Sequence, residues 1–228
     1  MEIMPSDEHM VLENPLAGRM SDFSSWGVAP DLQLLPDITA PGGNIYSAVL
    51  NNGYANMSGT SMASPHMAGL SALAKQYIMS DSKFASFSEG EKINLVSAML
   101  MATAEPLARG ENSYYSPRQQ GAGLANIQAV ASAKAYLTVE GADPAKPKAE
   151  LGDGTGPFSF TFTVHNLTGD ALTYTLDAAA LSEEIVDGYF QQKSKNYAGN
   201  GIAISYDGAT EDGTVSVPGH GAATGPVT

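Results

Sequence analysis

The hydrophobic periodicity of the chain changes near residue 140, which indicates a protein built from two unlike parts. Before that point, apolar residues recur at three- and four-residue steps, as in Thr60–Ile78, and this spacing predicts amphipathic helices. After it, apolar and polar residues alternate, most clearly in Phe158–Val164, and this alternation predicts half-buried strands. Residues 141–157 between the two patterns are rich in Gly and Pro. We therefore predict two domains: residues 1–140 with an α/β fold and residues 141–228 forming an all-β sandwich.

Capping signals predict three helices in the first part. Thr60 is a candidate N-cap for the helix that runs to about Ile78. Ser88 and Glu91 have the spacing of a capping box, which predicts a second helix starting at Ser88. A third helix is predicted over about Asn126–Ala135. In the second part, strands are expected at residues 158–164, 172–176, 202–206 and 214–217.

Composition excludes several classes of function. The 228 residues include 24 acidic and 11 basic side chains, a formal charge of −13, which argues against a nucleic-acid or anionic-membrane partner. The absence of cysteine excludes disulfides, a thiolate nucleophile and cysteine-ligated zinc. Membrane insertion is not expected, because no apolar run approaches the roughly 20 residues that a membrane helix needs. The acidic Met1–Glu8 segment also lacks the basic and apolar regions of a secretory signal.

The strongest chemical signal is the run Ser-Gly-Thr-Ser-Met-Ala-Ser-Pro-His at residues 58–66, where a loop is expected to become a helix. A serine hydroxyl on a first helical turn lies beside free backbone N–H groups, which can stabilise an oxyanion. Gly59 would let a substrate backbone approach closely. Taken by itself, however, Gly-Thr-Ser at a helix start is more often a simple cap than a catalytic site.

The same residues resemble the catalytic-serine signature of the subtilisin-like serine proteases. The signature positions are Gly59, Thr60, Ser61, Met62, Ala63, Pro65, His66, Ala68 and Gly69. Other segments of that catalytic domain resemble Phe23–Gly27, Pro36–Gly42 and Ser116–Gly123. The combination is most similar to the large cell-envelope proteinases of Gram-positive bacteria, the group of lactocepin and the complement-cleaving peptidases. In that group a fibronectin type III-like domain follows the catalytic domain, which is the place of Phe158–Val217.

The resemblance implies that Ser61 is the acylating nucleophile, with its own N–H as one oxyanion donor, and that Gly59 and Thr60 form the wall beside the scissile bond. It implies a polypeptide substrate and an extracellular or surface-attached location. His66 is expected to be a packed or hydrogen-bonded structural histidine rather than the base.

The rest of the catalytic machinery is expected upstream of Met1. The histidine and acids that precede Ser61 lack the family's triad setting, namely His9, Asp7, Asp22, Asp31 and Asp37. The oxyanion asparagine is expected upstream as well. We therefore expect the C-terminal part of a catalytic domain, inactive without the upstream part of the same protease. Exposed sheet edges and helix faces would then favour self-association.

The sequence also allows two other classes of function and leaves calcium binding open. The chain could instead be a non-catalytic surface module for binding or spacing. An α/β-hydrolase is disfavoured because Ala63 stands where its nucleophile elbow requires glycine. No cofactor or metal ligand is assigned. Calcium stays open at the carboxylates of residues 182–187 and 207–213, although a solvated loop is the commoner role for such residues.

Overall fold

The computed structural model describes residues 16–110, 113–152, 156–199, 201–210 and 213–228. Its helices are α1 (Thr60–Ser80), α2 (Glu89–Ala102), α3 (Pro117–Gln120) and α4 (Ile127–Ser132), with a 3₁₀ turn at Ser82–Phe84. Its strands are β1 (Ile45–Val49), β2 (Gly53–Met57), β3 (Ala135–Val139), β4 (Phe160–Asn166), β5 (Leu172–Thr175), β6 (Leu181–Val186), β7 (Tyr189–Asn196), β8 (Thr214–Val217) and β9 (Ala222–Val227).

Helix α1 begins one residue away from the predicted cap. Thr60 is the first helical residue, and Gly59 occupies the N-cap position without any side-chain cap bond. Gly59 has φ 154° and ψ 163°, a backbone conformation that residues with a Cβ rarely adopt. The helix therefore starts after a glycine in this conformation, without a capping hydroxyl.

Local capping chemistry correctly predicts the starts of α2 and α4, whereas the short helix α3 was not predicted. The Ser88 hydroxyl accepts from Glu91 N–H, and the Glu91 carboxylate accepts from Ser88 N–H at 2.8 Å, which confirms the capping box. The Asn126 side chain accepts from the first turn of α4. The predicted end of this helix is wrong: α4 stops at Ser132, because Ala135–Val139 extends as β3 and pairs with a strand further along the chain.

The main core lies between α1 and α2 and is closed by α4. Phe84 is fully buried, and its ring meets the Tyr77 ring edge-on with the centroids 5.7 Å apart. The buried members of this core are Ala74, Ile78, Phe84, Leu95, Val96, Met99, Leu100, Val130 and Leu167. Helix α1 buries only Ala74 and Ile78, so its opposite side remains exposed among the described residues.

Strand pairing crosses residue 140. Strand β3 pairs antiparallel with β4, with Tyr136 opposite His165, and β4 also pairs with β9. The other pairs are β1–β2, β5–β8 and β6–β7, all antiparallel. The strand predicted at residues 202–206 is wrong, since Ile202 and Tyr206 make only isolated bridges. The hairpins β1–β2 and β6–β7 were not predicted.

The fold is therefore a mixture of helices and strands, as expected for part of an α/β domain. In the described part of the chain, the strands from β3 onward form one three-stranded sheet and two pairs. A fibronectin type III-like sandwich stays a prediction. None of the described helices is both long enough and apolar enough to cross a bilayer.

Candidate active site

Ser61 lies on the first turn of α1, and its side chain is exposed. The N–H groups of Met62 and Ala63 both donate to the Gly59 carbonyl, at 3.0 and 3.4 Å. Within the described residues, the N–H groups of Thr60 and Ser61 and the Ser61 hydroxyl have no hydrogen-bond partner. Because Pro65 has no N–H, it also cannot bond to the Ser61 carbonyl four residues before it. The turn thus presents a hydroxyl next to two free backbone donors.

A neighbouring loop holds the residues that precede Ser61. Gly59 N–H donates to the Gly42 carbonyl at 2.8 Å, and Asn44 N–H donates to the Ser58 hydroxyl at the same distance. A Cβ on Gly42 would lie 2.7 Å from the Gly59 oxygen and 3.0 Å from Ala63 Cβ, so the two backbones touch here. Sequence reasoning missed this support, although Pro-Gly-Gly at residues 41–43 is a recognisable turn signal.

The predicted substrate-binding residues occupy the same turn. Gly59 is half-buried and Thr60 is exposed. Beside them, β2 ends at Met57, and its hairpin carries two stacked rings, Tyr46 and Tyr54, with centroids 5.6 Å apart. These rings are 67% and 66% exposed, so the hairpin offers an open aromatic surface that sequence reasoning did not single out.

His66 is not packed, contrary to expectation. It lies five residues after Ser61 on the same helix, which places it about 140° around the axis from the serine. Its side chain is exposed and lines an open groove along α1 with Pro65, Gly69, Leu70, Ala72, Leu73 and Gln76. The histidine lies on the side of α1 that the described residues leave uncovered, which is why it has no packing partner there.

No base or acid partner for Ser61 emerges from the described residues. His9 and Asp7 lie outside them. His165 stacks on Tyr136 with the centroids 4.5 Å apart and contacts Thr138 Oγ1 through Nε2 at 2.8 Å. Burial lowers the pKa of His165, which therefore serves as a neutral packing residue in the sheet.

The acids upstream of Ser61 are also engaged elsewhere or exposed. Asp22 and Asp31 are exposed. Asp37 pairs with Lys146 at 2.6 Å and with Lys148 at 2.9 Å. Burial opposes ionisation of Asp37, but the hydrogen bond from Lys146 and the positive charges of Lys146 and Lys148 outweigh it, so the pKa of Asp37 lies below the ordinary value.

Those carboxylates considered for calcium that the structure describes do not assemble into a ligand set. Glu183 pairs with Arg118 at 2.5 Å, which occupies one of its oxygens. Residues 211 and 212 of the second candidate loop lie outside the described part of the chain. Among the residues that the structure does describe, no three acidic or histidine side chains come together to hold a metal ion.

An exposed serine on the first turn of a helix that follows a glycine makes this turn a candidate nucleophile site. Sequence comparison identifies the protein family to which such a site belongs. The profile described as "Subtilase family" matches residues 11–143, more than half of the chain, so the chain belongs to the subtilase family. The resemblance seen in the sequence is thereby confirmed.

Individual relatives agree with this assignment. The chain is 39% identical to the C5a peptidase of Streptococcus pyogenes over 158 residues, which cover 68% of this chain and 13% of that protein. It is 44% identical to the PII-type proteinase of Lactococcus lactis subsp. cremoris over 172 residues, which cover 70% of this chain and 9% of that protein. The chain thus matches only a small share of these relatives' length.

A solved structure, the CspB protease of Clostridium perfringens, is 31% identical with a TM-score of 0.40. The match covers 52% of this chain and 24% of that one.

Proposed function

We propose that the chain carries the nucleophile of a serine endopeptidase and that Ser61 is this nucleophile. The observation that carries the proposal is the first turn of α1, where an exposed hydroxyl lies beside the free N–H groups of Thr60 and Ser61. Membership of the subtilase family supports the same reaction class. A polypeptide substrate and an extracellular or surface-attached location are proposed on the same family resemblance.

In the proposed reaction, Ser61 Oγ attacks the carbonyl carbon of the scissile peptide bond. The carbonyl oxygen takes up the negative charge of the tetrahedral intermediate and accepts a hydrogen bond from Ser61 N–H. As the intermediate collapses and the C–N bond breaks, the leaving amine receives the proton that a base took from the serine hydroxyl; an acyl group remains on Ser61, and water then removes it. Gly59 and Thr60 form the wall along which the substrate backbone lies.

The attack requires a base to take the hydroxyl proton, because a serine hydroxyl is a weak nucleophile at neutral pH. None of the described residues bonds to Ser61 Oγ. We propose that the histidine, the aspartate and a second oxyanion donor come from the remainder of a longer protease. The 228-residue chain alone is then inactive, since loss of triad members costs orders of magnitude in rate.

We also propose a two-domain organisation with a fibronectin type III-like second domain. Support for it comes from the antiparallel pairs β4–β9, β5–β8 and β6–β7, whose strands all lie after residue 140. Strand β3 lies before the predicted boundary at residue 140 and pairs with β4, so the sheet of the second domain would extend one strand into the first part of the chain.

A chimera tests the catalytic role of Ser61. The segment of the Lactococcus lactis proteinase that aligns with this chain is replaced by the matching residues of this chain. We expect an active-site-directed fluorophosphonate to label the chimera at Ser61, and Ser61→Ala to abolish both labelling and hydrolysis of a peptide mixture. The isolated chain should react no faster than free serine.

Two results would contradict the proposal. A folded chimera that stays unlabelled, beside a parent proteinase that is labelled, would favour a non-catalytic binding or spacer module. Rapid labelling of the isolated chain at Ser61 would instead mean that this chain contains its own base.

A further inference from the structure

The segment Asp143–Glu150, which we call the strap, connects β3 to β4 but is tied to the first part of the chain. Lys146 Nζ lies 2.6 Å from Asp37 Oδ2, and Lys148 Nζ lies 2.9 Å from Asp37 Oδ1. Lys148 also donates to the Leu34 carbonyl at 2.6 Å. Two lysines of one short segment thus converge on a single carboxylate more than a hundred residues away.

The negative charge of Asp37 is compensated by Lys146 and Lys148. The Asp37 side chain is 25% exposed, and each carboxylate oxygen faces a different lysine. Oδ1 is shielded from solvent, and within the described residues it receives no well-aligned hydrogen bond, so the charge of Lys148 is its compensation. Removing either partner would leave a partly buried charge less well paired, which is more costly than losing an exposed ion pair.

The backbone from Asp37 leads directly to the serine turn. The Asp37 carbonyl accepts from Ala122 N–H at 3.0 Å, and Thr39 N–H donates to the Gly123 carbonyl at 2.9 Å. Three residues after Thr39, the Gly42 carbonyl accepts the Gly59 N–H. The segment Pro36–Gly42 is therefore anchored near Asp37 at one end and supports the turn of Ser61 at the other.

We propose that the strap is a clamp that positions Ser61: Lys146 and Lys148 hold Asp37, and Asp37 holds the segment that supports Gly59. Asp37, Lys146 and Lys148 are positioning residues, since they act through Gly42 and Gly59. The coupling between strap and serine turn stands on geometry alone, and only its consequence for catalysis rests on the proposed function. Release of the strap would loosen the turn and misplace the nucleophile.

Two measurements on the 228-residue chain test the coupling. Trypsin can cut the strap after Lys148 but not after Lys146, which precedes a proline, so cleavage at residue 148 reports release of the strap. Amide hydrogen exchange at Gly59 reports opening of its bond to Gly42. In Asp37→Asn, we expect both to be about tenfold faster or more, as loss of charge-assisted bonds predicts.

Further variants separate coupling from general damage. Lys146→Gln should accelerate Gly59 exchange, and Lys146→Arg, which keeps the charge, should restore slow exchange. Glu183→Gln removes the ion pair between Glu183 and Arg118, which also joins the two parts of the chain. Neither residue of this pair belongs to Pro36–Gly42. Glu183→Gln should leave Gly59 exchange and cleavage at Lys148 unchanged. Exchange in α2 should stay slow in every variant, which shows that the core remains folded.

The inference is overturned if trypsin cuts the strap of Asp37→Asn rapidly while Gly59 exchange stays at the wild-type rate, or if Glu183→Gln accelerates Gly59 exchange equally. Failure of Lys146→Arg to restore slow exchange would also overturn it. None of these readouts needs activity, so they separate this inference from the proposal for Ser61. In the chimera, Asp37→Asn should additionally slow labelling of Ser61.

Discussion

The close contact between Gly42 and Gly59 makes Gly42→Ala a direct test of how the serine turn is supported. The new Cβ would lie 2.7 Å from the Gly59 oxygen, 3.0 Å from Ala63 Cβ and 3.3 Å from Ala63 N. Backbone atoms cannot swing aside as a flexible side chain does. Gly59 is further restrained by its own N–H bond to Gly42 and by a φ of 154°. Relief therefore requires the loop and the first turn of α1 to separate.

We expect this substitution to cost about 1–3 kcal/mol, the usual range for overpacking. For a chain of this length, each kcal/mol lowers Tm by roughly 2–4 °C. Urea denaturation gives the free energy of unfolding, and the NMR shift of the Gly59 amide reports the separation of the loop from the turn.

Gly43→Ala is the matched control. Among the described residues, its new Cβ would meet only the Ser21 hydroxyl, at 3.2 Å, and that side chain can rotate away. We expect a change within about 0.5 kcal/mol, as for ordinary surface substitutions. The reasoning is refuted if Gly42→Ala unfolds at the same urea concentration as Gly43→Ala and leaves the Gly59 amide shift unchanged.

Two further predictions concern the core and the sheet. Phe84→Ala should lower the free energy of unfolding by about 3–5 kcal/mol in urea titrations, since Phe84 is 0% exposed. Ile93→Ala, on the exposed side of α2, should lower it far less. Equal losses would contradict the placement of the core. Burial lowers the pKa of His165 in the folded state below its ordinary 6.5. The unfolded chain therefore binds the proton more readily than the folded chain. The stability that the neutral ring contributes above pH 6.5 is thus lost as the pH falls below that value. His165→Phe should keep the stacking on Tyr136 and flatten this dependence between pH 7 and 5; an unchanged slope would assign the proton to another group.

Features decided by near neighbours in the chain were predictable from the sequence. The capping box of Ser88 and Glu91 and the Asn126 cap each join groups two or three residues apart, so residue type and spacing suffice to predict them. The helical signature around Ser61 belongs to the same class, because the free N–H groups of a first turn follow from helix geometry. The signature around Ser61 likewise indicates the subtilase family from residues close together in the chain, and the family comparison confirms it.

Features decided by distant partners were not predictable in this way. The end of α4 was misplaced because Ala135–Val139 gains its hydrogen bonds from β4, across the whole Gly- and Pro-rich segment. The conformation of Gly59 is coupled to Gly42, and the charge of Asp37 is compensated from residues 146 and 148. Residue types and their spacing therefore specify the chemistry available at Ser61 and the periodicity of the elements around it. The support of the serine turn depends instead on the folded arrangement, because its packing contacts and ion pairs join residues that are far apart in the chain.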